Sequence, residues 1–129
     1  MLRRKNRGLD DYSCVLCQQN VEETLNHLIF MCTFSSQCWQ ATGILWDTSL
    51  PLGEMVMQAR QDFGAMIFRE IAIVAAWCIW THRNSIIFNG QSLSFTRWWQ
   101  AFIADLSLVL HRAKASVKEE LVNWVSSTF

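Results

Sequence analysis

Cys14-Val15-Leu16-Cys17-Gln18-Gln19-Asn20-Val21-Glu22-Glu23-Thr24-Leu25-Asn26-His27-Leu28-Ile29-Phe30-Met31-Cys32 gathers three thiols and one imidazole within a single short stretch. Two thiols separated by two residues can grip one ion from a tight turn. An imidazole ten residues on, and a third thiol five beyond it, supply the rest of a tetrahedral set. Zinc takes four such sulfur and nitrogen donors, and a site with all four positions filled by protein is structural rather than catalytic. The candidate ligands are therefore Cys14, Cys17, His27 and Cys32, and the implied cofactor is Zn2+.

Two other readings compete. The same two-residue spacing occurs in dithiol redox sites, where the first thiol follows a strand and opens a helix. The segment before Cys14 is polar and has no strand pattern, which disfavours that chemistry. The cysteines could also be unconnected core residues. His27 and Cys32 set a geometric condition. Five residues of α-helix turn through about 500°, which leaves the two about 140° from a shared face. The helix must end or distort near Phe30 or Met31, and Thr33 and Ser35 are then placed to cap the next one. Cys38 is the rival fourth ligand. On a straight helix it shares a face with His27 but lies about 16 Å away, so Cys32 is preferred. Cys78 sits in an apolar run beside Trp77 and reads as a core thiol.

Composition bounds the rest. The chain has 129 residues, of which 51% are hydrophobic and only 17% charged, so it can bury a core. Seven Trp and eight Phe must pack together or lie on a surface that another molecule covers. Net charge is zero, against the basic balance usual for a free-standing nucleic-acid binder. Arg3, Arg4, Lys5 and Arg7 form the one dense basic run, which is either a solvated end or a phosphate-contacting strip. The five cysteines are odd in number and no apolar segment follows the basic N-terminus, so an intracellular, reducing compartment is expected. The longest apolar run, Ile71 to Trp80, is ten residues. About 18 are needed to span a bilayer, so a buried helix is expected and no membrane partner.

One Pro, five Gly and long periodic apolar stretches predict a mainly α fold. Asn20 and Glu23 resemble a capping box opening a helix over about 21–31. A second helix is expected over about 34–42. A long helix should follow over 54–89, with a break near 62–64 and a stop at Asn89-Gly90. Its middle is apolar almost all round, as in a helix covered on several sides. A last helix over 95–125 carries the stripe Trp99, Ile103, Leu106, Leu110, Ala113, Val117, Leu121 and Trp124. That stripe should pack back on the central helix or pair with a second copy. The expected architecture is a small N-terminal Cys-Cys-His-Cys zinc knuckle in residues 1–42, a connecting loop in 43–53, and a helical hairpin or bundle in 54–129.

Cys14 and Cys17, Glu23-Thr24, His27-Leu28-Ile29-Phe30, Cys32 and Trp39 resemble the zinc-binding domain at the C-terminal end of plant non-LTR retrotransposon reverse transcriptases. The resemblance implies Cys14, Cys17, His27 and Cys32 as ligands. Ile29 stands where that family usually has Phe. Trp77, Ile79-Trp80, Arg83-Asn84 and Phe88 are similar to the helical segment that trails the domain in such elements, and Phe95 to Trp99 and His111-Arg112-Ala113-Lys114 also resemble it. The family domain normally has a further helix before the first Cys pair, of which only Leu2 to Gly8 would remain. No polymerase pattern is visible, since Asp10-Asp11 lacks a strand-turn context. The chain is therefore expected to be a fragment of such an element, or a short gene derived from one.

The function expected on these grounds is a non-catalytic structural zinc module, with RNA or single-stranded DNA as partner through Arg3, Arg4, Lys5 and Arg7. The alternative is a protein-protein or self-association domain acting through the Trp-rich and C-terminal helices. No enzyme and no small-molecule substrate are expected. His27, His82 and His111 lack an adjacent acid or nucleophile, and Ser94 and Ser107 lack a nucleophile-elbow context. His82 reads as a helix-end residue favouring the dipole. Arg83, Arg97, Arg112 and Lys114 read as solvated.

Overall fold

Helical periodicity is realised almost throughout the computed structural model, which describes residues 13–17, 22–65, 67–112 and 114–128. A π-helix (His27–Met31) is followed by α1 (Thr33–Thr42), α2 (Leu52–Phe63), α3 (Phe68–Asn89), α4 (Phe95–Arg112) and α5 (Ala115–Thr128). The fold is thus mainly α, with a Cys/His cluster at its N-terminal end. The one departure among the described residues is an isolated antiparallel bridge between Ser13 and Glu22.

Helix boundaries follow from specific residues. Gly64 ends α2 at φ 71°, and its N–H donates to the Arg60 carbonyl. That left-handed conformation suits glycine, and it divides the predicted 54–89 helix within the expected 62–64 break. Gly90 closes α3 in the same way, at φ 67°. The Ser94 hydroxyl accepts the Arg97 N–H at 3.1 Å and opens α4. Two helix starts differ from expectation. Asn20 lies outside the described residues, and the first helical turn is instead opened by Thr24, whose hydroxyl accepts the His27 N–H at 3.1 Å. Glu22 cannot be helical because it pairs with Ser13. Helix α2 starts at Leu52, directly after Pro51, whose carbonyl takes the Met55 N–H at 2.8 Å.

The predicted 95–125 helix is two helices. Phe102 on α4 meets Trp124 on α5 with ring centroids 6.3 Å apart. Twenty-two residues of continuous helix would separate them by about 33 Å, so the chain folds back. Leu121 is buried, and the Glu120 carboxylate accepts the Ile67 N–H at 3.3 Å. The predicted stripe thus closes intramolecularly at its C-terminal end.

Helix α3 is the hub, touching the π-helix, α1, α2 and α4. By length and composition alone it could cross a bilayer. Here it buries Ile71, Val74, Ala75, Cys78, Ile79, His82 and Arg83. Its opposite side is less covered than its sequence suggests, since Ile73 and Trp77 are 57% and 56% exposed. Helix α4 covers α3 with Trp98, Phe102 and Leu106, all fully buried, and Trp98 stacks on Phe102 at 5.3 Å.

His82 is a buried packing residue, not a solvated helix end. Its ring stacks on Phe34 of α1 at 5.1 Å, and its Nε2 accepts the Ser94 N–H at 3.2 Å. Burial, aided by the nearby Arg97 charge, pushes the imidazole from 6.5 down to about 4. The unfolded chain therefore takes up this proton before the folded one does. Its contribution to stability should be complete above pH 6.5 and decline as pH falls toward 4. Melting temperatures of the chain and of His82→Gln should converge as pH drops through that window; a pH-independent difference contradicts this.

Candidate metal centre

Cys14 and Cys17 lie on an irregular turn held in place by the fully buried Leu16 between them. His27 projects from the first residue of the π-helix, and Cys32 follows its end. The geometric conflict between His27 and Cys32 is resolved here. The Cys32 N–H donates to the His27 carbonyl at 2.7 Å, a bond across five residues in place of four. The wider turn advances fewer degrees per residue, and Cys32 then leaves the helix in extended conformation at φ −66°, ψ 141°. Both changes bring its sulfur toward the His27 side. Thr33 and Ser35 are not caps as expected: Cys32 is the N-cap residue of α1, and the Ser35 hydroxyl donates to the Leu28 carbonyl.

One potential ligand atom each from Cys14, Cys17, His27 and Cys32 lies within 4.8 Å of every other, and all four side chains are buried. Cys14 Sγ and Cys32 Sγ are 3.8 Å apart, and Cys17 Sγ lies 3.3 Å from His27 Nε2. A tetrahedral ion with metal–sulfur bonds of about 2.3 Å and metal–nitrogen bonds of about 2.0 Å separates its ligands by roughly 3.8 Å and 3.5 Å. The donors are therefore spaced for one zinc-sized ion.

The electrostatics favour the ligand form at Cys32 and His27, while Cys14 keeps the proton that the two sulfurs share. The Cys14 thiol donates to Cys32, which together with burial holds Cys14 protonated well above its ordinary range. The same hydrogen bond pulls Cys32 below its ordinary value, against burial. Backbone N–H groups of Leu16 and Cys17 point at the Cys14 sulfur, and those of Phe34 and Ser35 at the Cys32 sulfur. Amides aimed at sulfur stabilise a thiolate, and the thiolate is the metal ligand. Burial lowers the His27 pKa, and the Glu23 charge partly opposes that. The neutral ring is the form that coordinates a metal. This donor set fits a cation that takes the place of the shared proton.

None of the five cysteines is in a disulfide. Cys38 is buried on α1 outside the four-ligand cluster, and burial pushes its thiol up. Cys78 is buried on α3, with its thiol donating to Asp105 at 3.3 Å; burial pushes it to about 12. Arg3, Arg4, Lys5 and Arg7 lie outside the described residues.

Two residues beside the cluster have roles that their sequence context does not suggest. Glu23 is not half of a capping box: it is 1% exposed and bonded to Arg83 of α3. Arg83 is not solvated: it is 4% exposed. A signal for both exists in the likeness to known sequences, which draws on Glu23-Thr24 and on Arg83-Asn84 separately. Nothing in the spacing joins them. Arg97 is also engaged, donating to Ser85 Oγ at 3.0 Å.

Residues 2–39 match the family described as zinc-binding in reverse transcriptase, which is a zinc-binding module and not a catalytic polymerase domain. No curated protein and no solved structure matches the chain.

Structural zinc contributes on the order of 10–16 kcal/mol to small modules. Adding a chelator should therefore open residues 13–42 to protease while the stacked Trp98 and Phe102 of α4 stay protected. Digestion mapped by mass spectrometry checks this, and an unchanged cleavage pattern in residues 13–42 contradicts it.

Proposed function

We propose, from the premise that residues 2–39 are a zinc-binding segment of the reverse-transcriptase kind, that this chain is a non-catalytic structural zinc module. The observation that supports it most is the buried convergence of Cys14, Cys17, His27 and Cys32, with backbone amides directed at two of the sulfurs. Four protein donors leave no open coordination position of the sort a catalytic zinc needs. The module's job is to fix the N-terminal turn against the helices and present the basic residues before it. Arg3, Arg4, Lys5 and Arg7 then contact phosphates of RNA or single-stranded DNA. Five thiols outside any disulfide suit a reducing, intracellular setting.

The purified chain should carry one zinc. Cys14→Ser or His27→Ala should abolish it, and Cys38→Ser should keep it. Elemental analysis reads this directly, and a wild-type chain purified without metal contradicts the reading. In a gel shift with single-stranded RNA, replacing the four basic residues by Ala should flatten the salt dependence. The slope should fall by about 0.7 for each phosphate that is no longer neutralised. No shift at low salt removes the nucleic-acid part of the proposal.

A second reading is self-association. It rests on the uncovered side of α3, where Ile73 borders a groove of about 580 Å³ lined also by Phe30, Trp46, Val56, Phe68 and Ala76, with Trp77 one turn further along. Zero net charge gives a second copy no electrostatic barrier. Sedimentation velocity should then show a dimer that Trp77→Lys converts to monomer, and a monomer at all concentrations overturns it.

A further inference from the structure

Glu23 and Arg83 are 60 residues apart in sequence and form a buried ion pair. Arg83 Nε and Nη2 both donate to Glu23 Oε1, at 3.1 and 2.5 Å. The guanidinium lies over the Trp80 ring, 4.9 Å from its centroid, and its Nη1 donates to Asn84 Oδ1 at 2.7 Å. Arg83 is thus fixed on three sides by its own helix and by Glu23.

The other end of the pair leads into the metal cluster. Glu23 immediately precedes Thr24, whose hydroxyl caps the His27 N–H at 3.1 Å and whose carbonyl takes the Leu28 N–H at 2.9 Å. The backbone position of Thr24 therefore sets where the ligand-bearing turn begins. The second carboxylate oxygen, Glu23 Oε2, is buried with no hydrogen-bond partner among the described residues. The link from Glu23 to His27 therefore runs through the Thr24 backbone, since Oε1 is taken by Arg83 and Oε2 makes no hydrogen bond to the ring. The neighbouring α3 residue, His82, grips the same module from another side by stacking on Phe34, two residues after Cys32.

We infer that Glu23 is a positioning residue for the metal ligand His27, and that Arg83 of α3 holds it in place, so that metal affinity depends on a helix outside residues 2–39. An unpaired buried carboxylate is costly, so without Arg83 the Glu23 segment would turn toward water and carry the start of the ligand turn with it. The inference rests on the structural-zinc reading above and adds which residues outside the ligand set tune it.

The test is zinc affinity of the full chain by competition with a chromophoric chelator, together with the visible spectrum of the cobalt-loaded chain. Arg83→Met and Glu23→Gln should each bind zinc about 10–100-fold more weakly, with the cobalt band displaced. Arg83→Lys should recover part of the affinity. Glu120→Gln, which removes a charge from the contact between α5 and Ile67 and touches neither Glu23 nor Arg83, should lower the melting temperature and leave affinity and spectrum unchanged. If Arg83→Met does not fold, the near-isosteric Glu23→Gln decides alone. Wild-type affinity and spectrum in Glu23→Gln overturn the inference while leaving the zinc reading intact. A wild-type chain with no measurable affinity overturns both.

Discussion

Three sulfurs and an imidazole held within 4.8 Å of one another, in a buried setting, are a poor arrangement for any chain without a cation between them. Two thiolates at contact distance repel, and a thiol sharing its proton with a neighbouring sulfur relieves only one of those repulsions. Cys14 and Cys32 stand in that relation, one held protonated and the other drawn toward the thiolate. A divalent ion relieves all of it at once. The surrounding structure is arranged around that point: amides face the sulfurs, Leu16 anchors the first turn, and the π-helix adjusts the angle between the last two ligands. A π turn is a rare choice for five residues, found mostly where function requires it. Here it makes an otherwise impossible pairing of His27 with Cys32 geometrically allowed.

The helical part is more than a separate body tethered to this site. Helix α3 presents His82 and Arg83 side by side to the N-terminal segment, one stacking on Phe34 and the other neutralising Glu23. Both are buried polar groups with hydrogen-bond partners, and each would be expensive without them. Helix α3 also meets α4 through Trp98, Phe102 and Leu106, and α4 meets α5 where Phe102 touches Trp124. The order from ligand turn to C-terminal helix is therefore one run of packed side chains. The aromatic residues that look excessive in the composition are mostly consumed along it, and the exposed ones among the described residues, Trp77 and Phe88, both lie on α3.

Local sequence signals translate well into local structure. Gly64 and Asn89-Gly90 stop helices where their backbone freedom suggests, and the apolar period over 68–89 becomes the central helix. The condition that His27 and Cys32 cannot share a regular helix is also legible, because it follows from helix pitch alone. What stays hidden depends on pairings between distant residues. The cap at Thr24 is not evident because Glu22 is drawn into a bridge with Ser13, which periodicity cannot reveal. The last helix reads as continuous because a stripe of apolar residues has the same spacing whether it faces another element or folds over itself. Arg83 reads as solvated and His82 as a helix-end residue for a similar reason: charge and polarity predict exposure unless a partner is known, and the partners lie 60 and 48 residues upstream.

X-ray absorption at the zinc edge of the loaded chain measures the central claim most directly, because it counts donors by element and distance. A first shell of three sulfurs at about 2.3 Å and one nitrogen at about 2.0–2.1 Å is the expected result. A shell dominated by oxygen and nitrogen, or one with fewer than three sulfurs, contradicts it.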